Sequence, residues 1–428
     1  MLTVLLVVFV ILLISGFPII VALGIPSIIY AVINELPSAQ ISYSMFKALN
    51  SFPLVAGPLF ILMGNLVNDF GETKRIYRFA ELLLRKTRGY SAKVNILVSL
   101  IFSGMSGAAV ADIGGLGQIE IRAMEDEGFS TEYSTALTSA SAMVGPIFPP
   151  SIPLIIYAVN AEVSTLRVLL AGVVPAILIT IVLYLFVINQ IPRKLKNQLP
   201  VDRHDHDPPE HESLLKSTLD ALPMIVLVPI IIAIMLLGIS SPSEAAAAAV
   251  LYIIILEILR GTFSLKTLKT SLVNTYKIVA SIFIIIAVAS FFSSILTLER
   301  FPEAVAAWFM SISQSPVVIL LLLNIMVLFV GMFMETVSSL IILTPILLTI
   351  TRTIDMDPLH LGVVLVFNLT IGMLTPPFGV GVYTVARIGN IAPDKVFREL
   401  FSLYWPLIIA LLLITFIPQL SLWLPSLY

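Results

Sequence analysis

The sequence predicts an all-α membrane protein that crosses the bilayer many times. Three observations lead to this fold class: 58% of the 428 residues are hydrophobic, only 12% are charged, and the apolar residues fall in long runs. Soluble domains carry about 25% charged residues, roughly twice this share. The long runs must be helical where they cross the membrane, because lipid offers no partner for open backbone groups.

Eight stretches of the chain contain no Asp, Glu, Lys or Arg: 1–34, 133–161, 168–192, 221–243, 278–298, 304–334, 361–386 and 400–428. About 18 such residues suffice to span the hydrocarbon core, so counting shorter and broken runs too predicts about 11 to 13 membrane-embedded segments. The first twenty residues, MLTVLLVVFVILLISGFPII, have no basic start and no small-residue cleavage site, so we interpret them as a retained first span and not as a signal peptide.

Positive charges gather in three connectors, 72–93, 193–216 and 260–277, which the positive-inside rule places in the cytoplasm. The first connector contains ETKRIYRFAELLLRKTRGY, which has helical periodicity. It is predicted either as an amphipathic arm on the membrane surface or as a soluble helical link.

The second connector is the long polar stretch of the chain and contains His204, His206 and His211. Neighbouring prolines and acids favour a solvated linker there over a metal site. The chain has no cysteine, which excludes disulfides and thiolate metal sites. No basic stripe is present to hold a nucleic acid.

The two halves of the sequence are related by a shift of 227 residues. This shift brings Gly145-x-x-x-Pro149-Pro150 onto Gly372-x-x-x-Pro376-Pro377, and Gly104-Met105 onto Gly331-Met332, without a gap. Internal duplication is typical of secondary transporters. We therefore predict two structural repeats.

Each repeat contains a predicted break in a membrane helix at its proline pair. Proline removes an amide hydrogen and clashes with the preceding turn, and the nearby glycine relaxes the backbone further. The carbonyls of residues 143–148 and 370–375 are then expected to lose their helical partners, and a dehydrated cation can satisfy such groups inside a bilayer. The half-helix that begins after the prolines offers a positive dipole end to a carboxylate.

Each repeat also contains a predicted re-entrant helical hairpin, with its tip at SGMSG in the first half and at residues 331–336 in the second. Asp112 and Glu335 lie deepest among apolar residues near these tips, and an ionisable group in such a position is usually functional. Arg387 follows the second break and is predicted either to meet a substrate carboxylate or to reach the membrane interface.

These motifs together resemble the large permease subunit of the tripartite ATP-independent periplasmic (TRAP) transporters. The matching segments are SGMSGAAVAD, IEIRAM, SASAMVGPIFPPSIPLIIY, GMFMETVSSLIILTPIL and GMLTPPFGVGVY. The resemblance implies sodium-coupled import of a small organic anion by an elevator mechanism in the bacterial inner membrane. It also implies two partners: a small four-helix membrane subunit and an extracytoplasmic protein that delivers the substrate.

The resemblance implies two sodium sites. The residues of the first are Ser103, Ser106, Val144, Gly145 and Pro149, and those of the second are Gly331, Thr370, Gly372 and Met373. Substrate is expected between the hairpin tips, near Ser106, Asp112 and Thr375, with Arg387 as a further candidate. Some family members carry a further hydroxyl residue after SG in the first tip. Ala108 stands nearby in this sequence, which puts substrate contacts at that tip in doubt.

The implied division of the chain alternates scaffold and transport parts. The parts are 1–93 (scaffold helices and amphipathic arm), 94–165 (first transport repeat), 166–315 (scaffold with polar linker 193–220), 316–390 (second transport repeat) and 391–428 (C-terminal scaffold helix).

Three other functions were weighed. An intramembrane enzyme is disfavoured because the sequence has no H-E-x-x-H motif, and a channel is disfavoured because it needs a continuous polar lining and not two break points. A single-component sodium/carboxylate symporter with the same hairpin plan is the main alternative. The substrate itself stays open among four-carbon dicarboxylates, sialic acid, other sugar acids and organic sulfonates.

Overall fold

The computed structural model describes residues 1–195 and 214–428, and every regular element in these two ranges is helical. The first ten α-helices are α1 Leu2–Ile14, α2 Ile19–Ile33, α3 Ser38–Leu49, α4 Ala56–Asp69, α5 Glu72–Leu84, α6 Tyr90–Ser106, α7 Ala109–Glu127, α8 Thr131–Ser141, α9 Ile152–Asn160 and α10 Thr165–Lys194. The other ten are α11 Leu214–Leu236, α12 Pro242–Leu259, α13 Leu265–Leu298, α14 Phe301–Ile312, α15 Pro316–Phe333, α16 Thr336–Thr351, α17 Pro358–Gly372, α18 Val380–Ile388, α19 Pro393–Phe416 and α20 Gln419–Leu422.

The helices are apolar enough for a multi-pass membrane protein. Within the described ranges, eight helices have the length and composition needed to cross a bilayer, and four shorter helices are also apolar. Many of their large hydrophobic side chains are exposed on the outside of the chain, where lipid or a partner subunit covers them in a membrane. The predicted all-α membrane fold class is therefore confirmed.

The N-terminal apolar run differs from the prediction. It forms two helices, α1 and α2, which pack against each other, and not one span. Gly16 lies in the turn with φ 78°, and Pro18 occupies the N-cap of α2. A fixed proline φ beside a residue that adopts a left-handed conformation reverses the chain, so the interpretation of residues 1–20 as one span is corrected.

The first basic connector folds onto the rest of the chain. Its helix, α5, packs against α4, α6 and α11, and buries Ile76, Tyr77 and Ala80. Most of its apolar face is thus covered by protein. The second connector falls largely on residues 196–213, so His204, His206 and His211 lie outside the described residues. The third connector spans only residues 260–264 and not the predicted 260–277, because Lys266, Lys269 and Lys277 belong to the 34-residue helix α13.

Glu72 opens α5 with a fully buried side chain that forms ion pairs with Arg75 and Arg260. Burial, helped by the neighbouring Glu257 carboxyl and opposed by the two arginines, raises the pKa of Glu72 to about 7. The folded chain therefore binds more protons than the unfolded chain between the ordinary glutamate pKa and pH 7. Stability is expected to fall as the pH rises through this window.

We predict that the thermal unfolding midpoint in detergent decreases between pH 5 and pH 8 and that Glu72→Gln flattens this slope. Glu303→Gln removes an exposed carboxylate on α14 and serves as the matched control, which should keep the wild-type slope. A Glu72→Gln variant with the wild-type pH dependence would show that another group is responsible.

The two repeats have the same order of elements. In the first, α6 and α7 form a hairpin whose tip is Gly107–Ala108, and the proline pair 149–150 lies between α8 and α9. In the second, α15 and α16 form a hairpin with its tip at Met334–Glu335, and the pair 376–377 lies between α17 and α18. Both Pro–Pro peptide bonds are cis. The predicted helix breaks are confirmed at both proline pairs.

Candidate functional site

A cavity of about 510 Å³ lies where the two hairpin tips and the two helix breaks meet. Two further helices, α4 and α13, complete its wall. The polar residues and the residues of the tips and breaks that line it include Asn65, Asn68, Ser106, Ala108, Pro146, Pro153, Asn274, Lys277, Glu335, Thr336 and Met373. Its volume matches that of sites for small molecules, which are typically about 300–1,000 Å³.

The first hairpin tip holds the buried carboxylate of Asp112. Asp112 lies in the first turn of α7 and is only 2% exposed. Ser103 Oγ donates to its Oδ2 at 3.3 Å, and Ser106 Oγ donates to its Oδ1. The two serines stand at the end of α6, and the tight turn at Gly107 brings them opposite Asp112.

The first helix break docks on this tip. A Cβ atom on Gly145 would lie 2.4 Å from Asp112 Oδ2, so only glycine lets the break approach the carboxylate this closely. The Gly107 carbonyl accepts the Ile152 amide at 3.2 Å, which joins the tip to the start of α9. The structure therefore brings Ser103, Ser106 and Gly145 together around Asp112.

The expected release of carbonyl groups at the first break is only partly correct. The Val144 carbonyl accepts the amides of Ile147 and Phe148, because the chain tightens into a 3₁₀ turn before the prolines. Pro146 accepts from the Ser151 hydroxyl. Among the described residues, no donor reaches the carbonyl oxygens of Gly145 and Pro149.

The second hairpin packs on the second break through two glycines. A Cβ atom on Gly372 would lie 2.6 Å from the Gly331 Cα atom, so α15 and α17 touch backbone to backbone. Thr336 at the tip donates its hydroxyl to Met373 Sδ at 2.9 Å. This close approach also suits plain helix packing, in which small residues let backbones meet.

At the second break, too, some backbone carbonyl groups accept hydrogen bonds and others do not. Gly372 accepts the Thr375 amide and Met373 accepts the Gly381 amide, so the expected release of these two carbonyls is corrected. No donor within 1–195 or 214–428 reaches the carbonyl oxygens of Thr370 and Gly331. The Thr370 hydroxyl donates to Val366 in its own helix.

Glu335 lines the cavity and also caps the helix that follows it. It is the N-cap of α16, and its carboxylate accepts the amides of Val337 and Ser338 at 2.9 and 3.4 Å. Such a cap satisfies amides that a helix start leaves open. Glu335 is half-buried at the second tip, whereas Asp112 is buried at the first tip.

Three of the four expected substrate residues do not line the cavity in the described part of the chain: Asp112, which is buried at the first tip, Thr375 and Arg387. Thr375 is half-buried, and its hydroxyl donates to the Ile371 carbonyl at 2.9 Å. Arg387 is exposed in the last turn of α18. Neither residue is among the described residues that line the cavity, whereas Ser106 is.

Sequence reasoning missed the wall that α4 and α13 contribute. Asn65 and Asn68 come from α4, and Asn274 and Lys277 from α13, while Asn65 Nδ2 also donates to Thr275 Oγ1 at 2.8 Å. The spacing of Asn65 and Asn68, and of Asn274 and Lys277, puts each pair on one helix face. Polar residues at this spacing in otherwise apolar helices were the signal in the sequence that could have predicted this wall.

The first tip and the first break bring together one carboxylate, two hydroxyls and the Gly145 backbone, all buried, which are the kinds of group that form a hard cation site. Hard cations prefer such oxygen ligands. No lysine or arginine pairs with Asp112 among the described residues. An uncompensated buried carboxylate is costly, so a bound alkali cation suits this site.

The chain matches one protein-family model over residues 6–420. That family is described as the DctM component of the tripartite ATP-independent periplasmic transporters. A sialic acid TRAP transporter large permease protein, SiaM of Vibrio cholerae, is 36% identical over 385 residues, covering 90% of this chain and 88% of SiaM. A C4-dicarboxylate TRAP transporter large permease protein, DctM of the same species, is 29% identical over 437 residues, with 97% and 95% covered.

The fold is also similar to a solved structure. The YdaH transporter of Alcanivorax borkumensis, whose crystal structure revealed an unusual topology, superimposes with a TM-score of 0.63 at 14% sequence identity. The match covers 89% of this chain and 89% of that protein. At this identity the likeness concerns the fold alone.

Proposed function

This chain belongs to the DctM component family of the TRAP transporters, and on that premise we propose that it carries a small organic anion together with sodium across the bacterial inner membrane. It is a multi-pass protein of that membrane, and its family serves substrate import through a TRAP system. The proposal is supported by residues of this chain that suit the binding of sodium and of an organic anion.

The observation that carries the sodium proposal is the buried carboxylate of Asp112 at a hairpin tip. It has two serine hydroxyls and the Gly145 backbone beside it, with no basic side chain in reach among the described residues. A monovalent cation compensates one carboxylate and needs only oxygen ligands. Gly331, Thr370, Gly372 and Met373 are proposed for a second cation. The Gly331 and Thr370 carbonyls are the proposed ligands, and Gly372 and Met373, whose carbonyls already accept amides, form the backbone beside them.

The cavity suits an anionic substrate. The first residues of α7, α9 and α16, which include Ala109, Ile152 and Thr336, line it, and helix N-termini carry partial positive charge. Relatives named for sialic acid and for C4-dicarboxylates support a carboxylate as the substrate class. We propose that the substrate lies between the two tips, close enough to the Asp112 site for the sodium and substrate sites to be coupled.

We propose an elevator movement, and the division of the fold supports it. The hairpins and broken helices hold the proposed cargo residues, whereas α4 and α13 form a wall that belongs to neither repeat. We propose that the two repeats move together against such scaffold helices. The small membrane subunit and the periplasmic binding protein of a TRAP system are the proposed partners.

The test is uptake of radiolabelled N-acetylneuraminate, and in parallel succinate, into proteoliposomes that contain the two membrane subunits with the binding protein outside. We expect uptake of one of these acids with a sodium gradient and none when choline replaces sodium, because choline is too large to share an oxygen-lined site. Equal uptake in choline would refute sodium coupling. Uptake without the binding protein would point to the single-component alternative.

A further inference from the structure

Lys277 is the only basic residue that lines the cavity in the described part of the chain. It lies in α13, three positions after Asn274 and five before Ile282, and all three side chains line the same cavity. Among the described residues, the only other charged one in the lining is Glu335, whose carboxylate already accepts two backbone amides. The ammonium group is therefore the strongest electrostatic attraction for an anion in this space.

The Lys277 side chain has no partner for its charge among residues 1–195 and 214–428. None of the ion pairs and side-chain hydrogen bonds of the described residues includes its Nζ atom. By contrast, Lys194 is paired with Glu399 at 2.5 Å, and Arg260 is paired with Glu72. A basic side chain that lines a cavity without a carboxylate partner is available to a ligand.

The neighbours of Lys277 suit the rest of a hydroxylated acid. Asn65, Asn68 and Asn274 line the same wall, and amide side chains both donate and accept hydrogen bonds. The Ile278 and Ile282 side chains line the wall beside them. Asn274 and Lys277 are exposed, so a ligand in the cavity can reach both side chains. A hydrogen bond to a charged group is roughly twice as strong as one between neutral groups.

We infer that Lys277 is a specificity-determining residue that binds the carboxylate of the transported anion from the scaffold wall. This inference rests on the proposed function and adds to it a substrate contact outside both repeats. The contrasting interpretation is that Lys277 only extends toward the membrane surface, as long basic side chains do near helix ends. Lys277 is the thirteenth residue of α13, roughly 18 Å from its start at 1.5 Å per residue.

The chain contains no cysteine, so Lys277→Cys introduces its only thiol. We expect this variant to raise the KM for N-acetylneuraminate or succinate by about tenfold or more with little change in kcat, as loss of a hydrogen bond to a charged group predicts. Treatment with aminoethyl methanethiosulfonate restores a positive charge there and should lower the KM again. The negatively charged sulfonatoethyl reagent should not, and substrate should slow the labelling.

Lys269→Cys is the matched control, because Lys269 is exposed on the same helix and does not line the cavity. It should keep the wild-type KM before and after both reagents, and so should the wild-type complex. If thiol chemistry disturbs assembly, Lys277→Arg and Lys277→Gln replace it, and only the arginine variant should keep a low KM.

An unchanged KM in Lys277→Cys, or equal rescue by both reagents, would overturn the role of Lys277. Either result would leave the proposed function intact, provided that the wild-type complex shows sodium-driven uptake. Absence of uptake by the wild-type complex for both acids would instead count against the proposed function.

Discussion

Asp112→Asn is expected to abolish sodium-driven uptake while leaving the protein folded. The carboxylate is buried, hydrogen-bonded by Ser103 and Ser106, and lacks a basic partner among the described residues. Asparagine preserves the shape and can still hydrogen-bond both serines, but it removes the charge that balances a cation. Removing one partner of a buried ion pair costs about 3–5 kcal/mol, so sodium affinity should fall by about two to four orders of magnitude.

Uptake in proteoliposomes and the unfolding midpoint in sodium-free buffer together measure this effect. Without a bound cation, Asp112→Asn should melt no lower than the wild type, because an amide is less costly to bury than a carboxylate. Asp126→Asn makes the same chemical change on the exposed end of α7 and should transport normally. Full sodium-driven uptake by Asp112→Asn would remove Asp112 from the cation site.

Gly107→Ala is the second substitution with a large expected effect. Gly107 has φ 65°, a conformation that costs other residues roughly 1–2 kcal/mol. A Cβ atom there would also lie 2.2 Å from the Pro150 carbonyl oxygen, which is backbone and cannot turn aside. The tip must then separate from the break, and the hydrogen bond from the Ile152 amide to the Gly107 carbonyl is lost. We expect the uptake rate to fall more than tenfold, which corresponds to a free-energy change of about 1.4 kcal/mol or more.

Gly57→Ala is the control for this change. Gly57 lies in helix α4 with nothing within 4 Å of an added Cβ atom, so alanine should leave transport unchanged. Uptake and the sodium concentration for half-maximal uptake are the measurements. If Gly107→Ala transported like Gly57→Ala, contact between the hairpin tip and the helix break would not be needed for function.

Features fixed by the local sequence were predictable. The breaks at Pro149–Pro150 and Pro376–Pro377 follow from the missing amides of proline, and the hairpin tip at Gly107 follows from glycine in an apolar run. The importance of Asp112 could be inferred because few ionisable groups occur in such surroundings. These inferences needed no knowledge of how the helices pack.

Features that depend on packing were not predictable in the same way. Lys277 was assigned to a connector because its neighbours in sequence are basic, but α13 runs through that region as one helix and places it in the cavity wall. The Val144 and Gly372 carbonyls were expected to be open, yet local turns satisfy them. Hydrogen-bond partners in irregular segments depend on the exact path of the chain, which sequence spacing does not determine.

The central claim is that the tip of the first hairpin and the first helix break form a sodium site around Asp112. The most direct measurement is the unfolding midpoint of the purified membrane subunits during titration with sodium chloride at constant ionic strength, balanced with choline chloride. We expect a midpoint that rises with the logarithm of the sodium concentration once this exceeds the dissociation constant, worth about 2.7 kcal/mol at 100 times that constant, and a smaller rise in Asp112→Asn. A midpoint that does not change with sodium, or the same rise in Asp112→Asn, would contradict it.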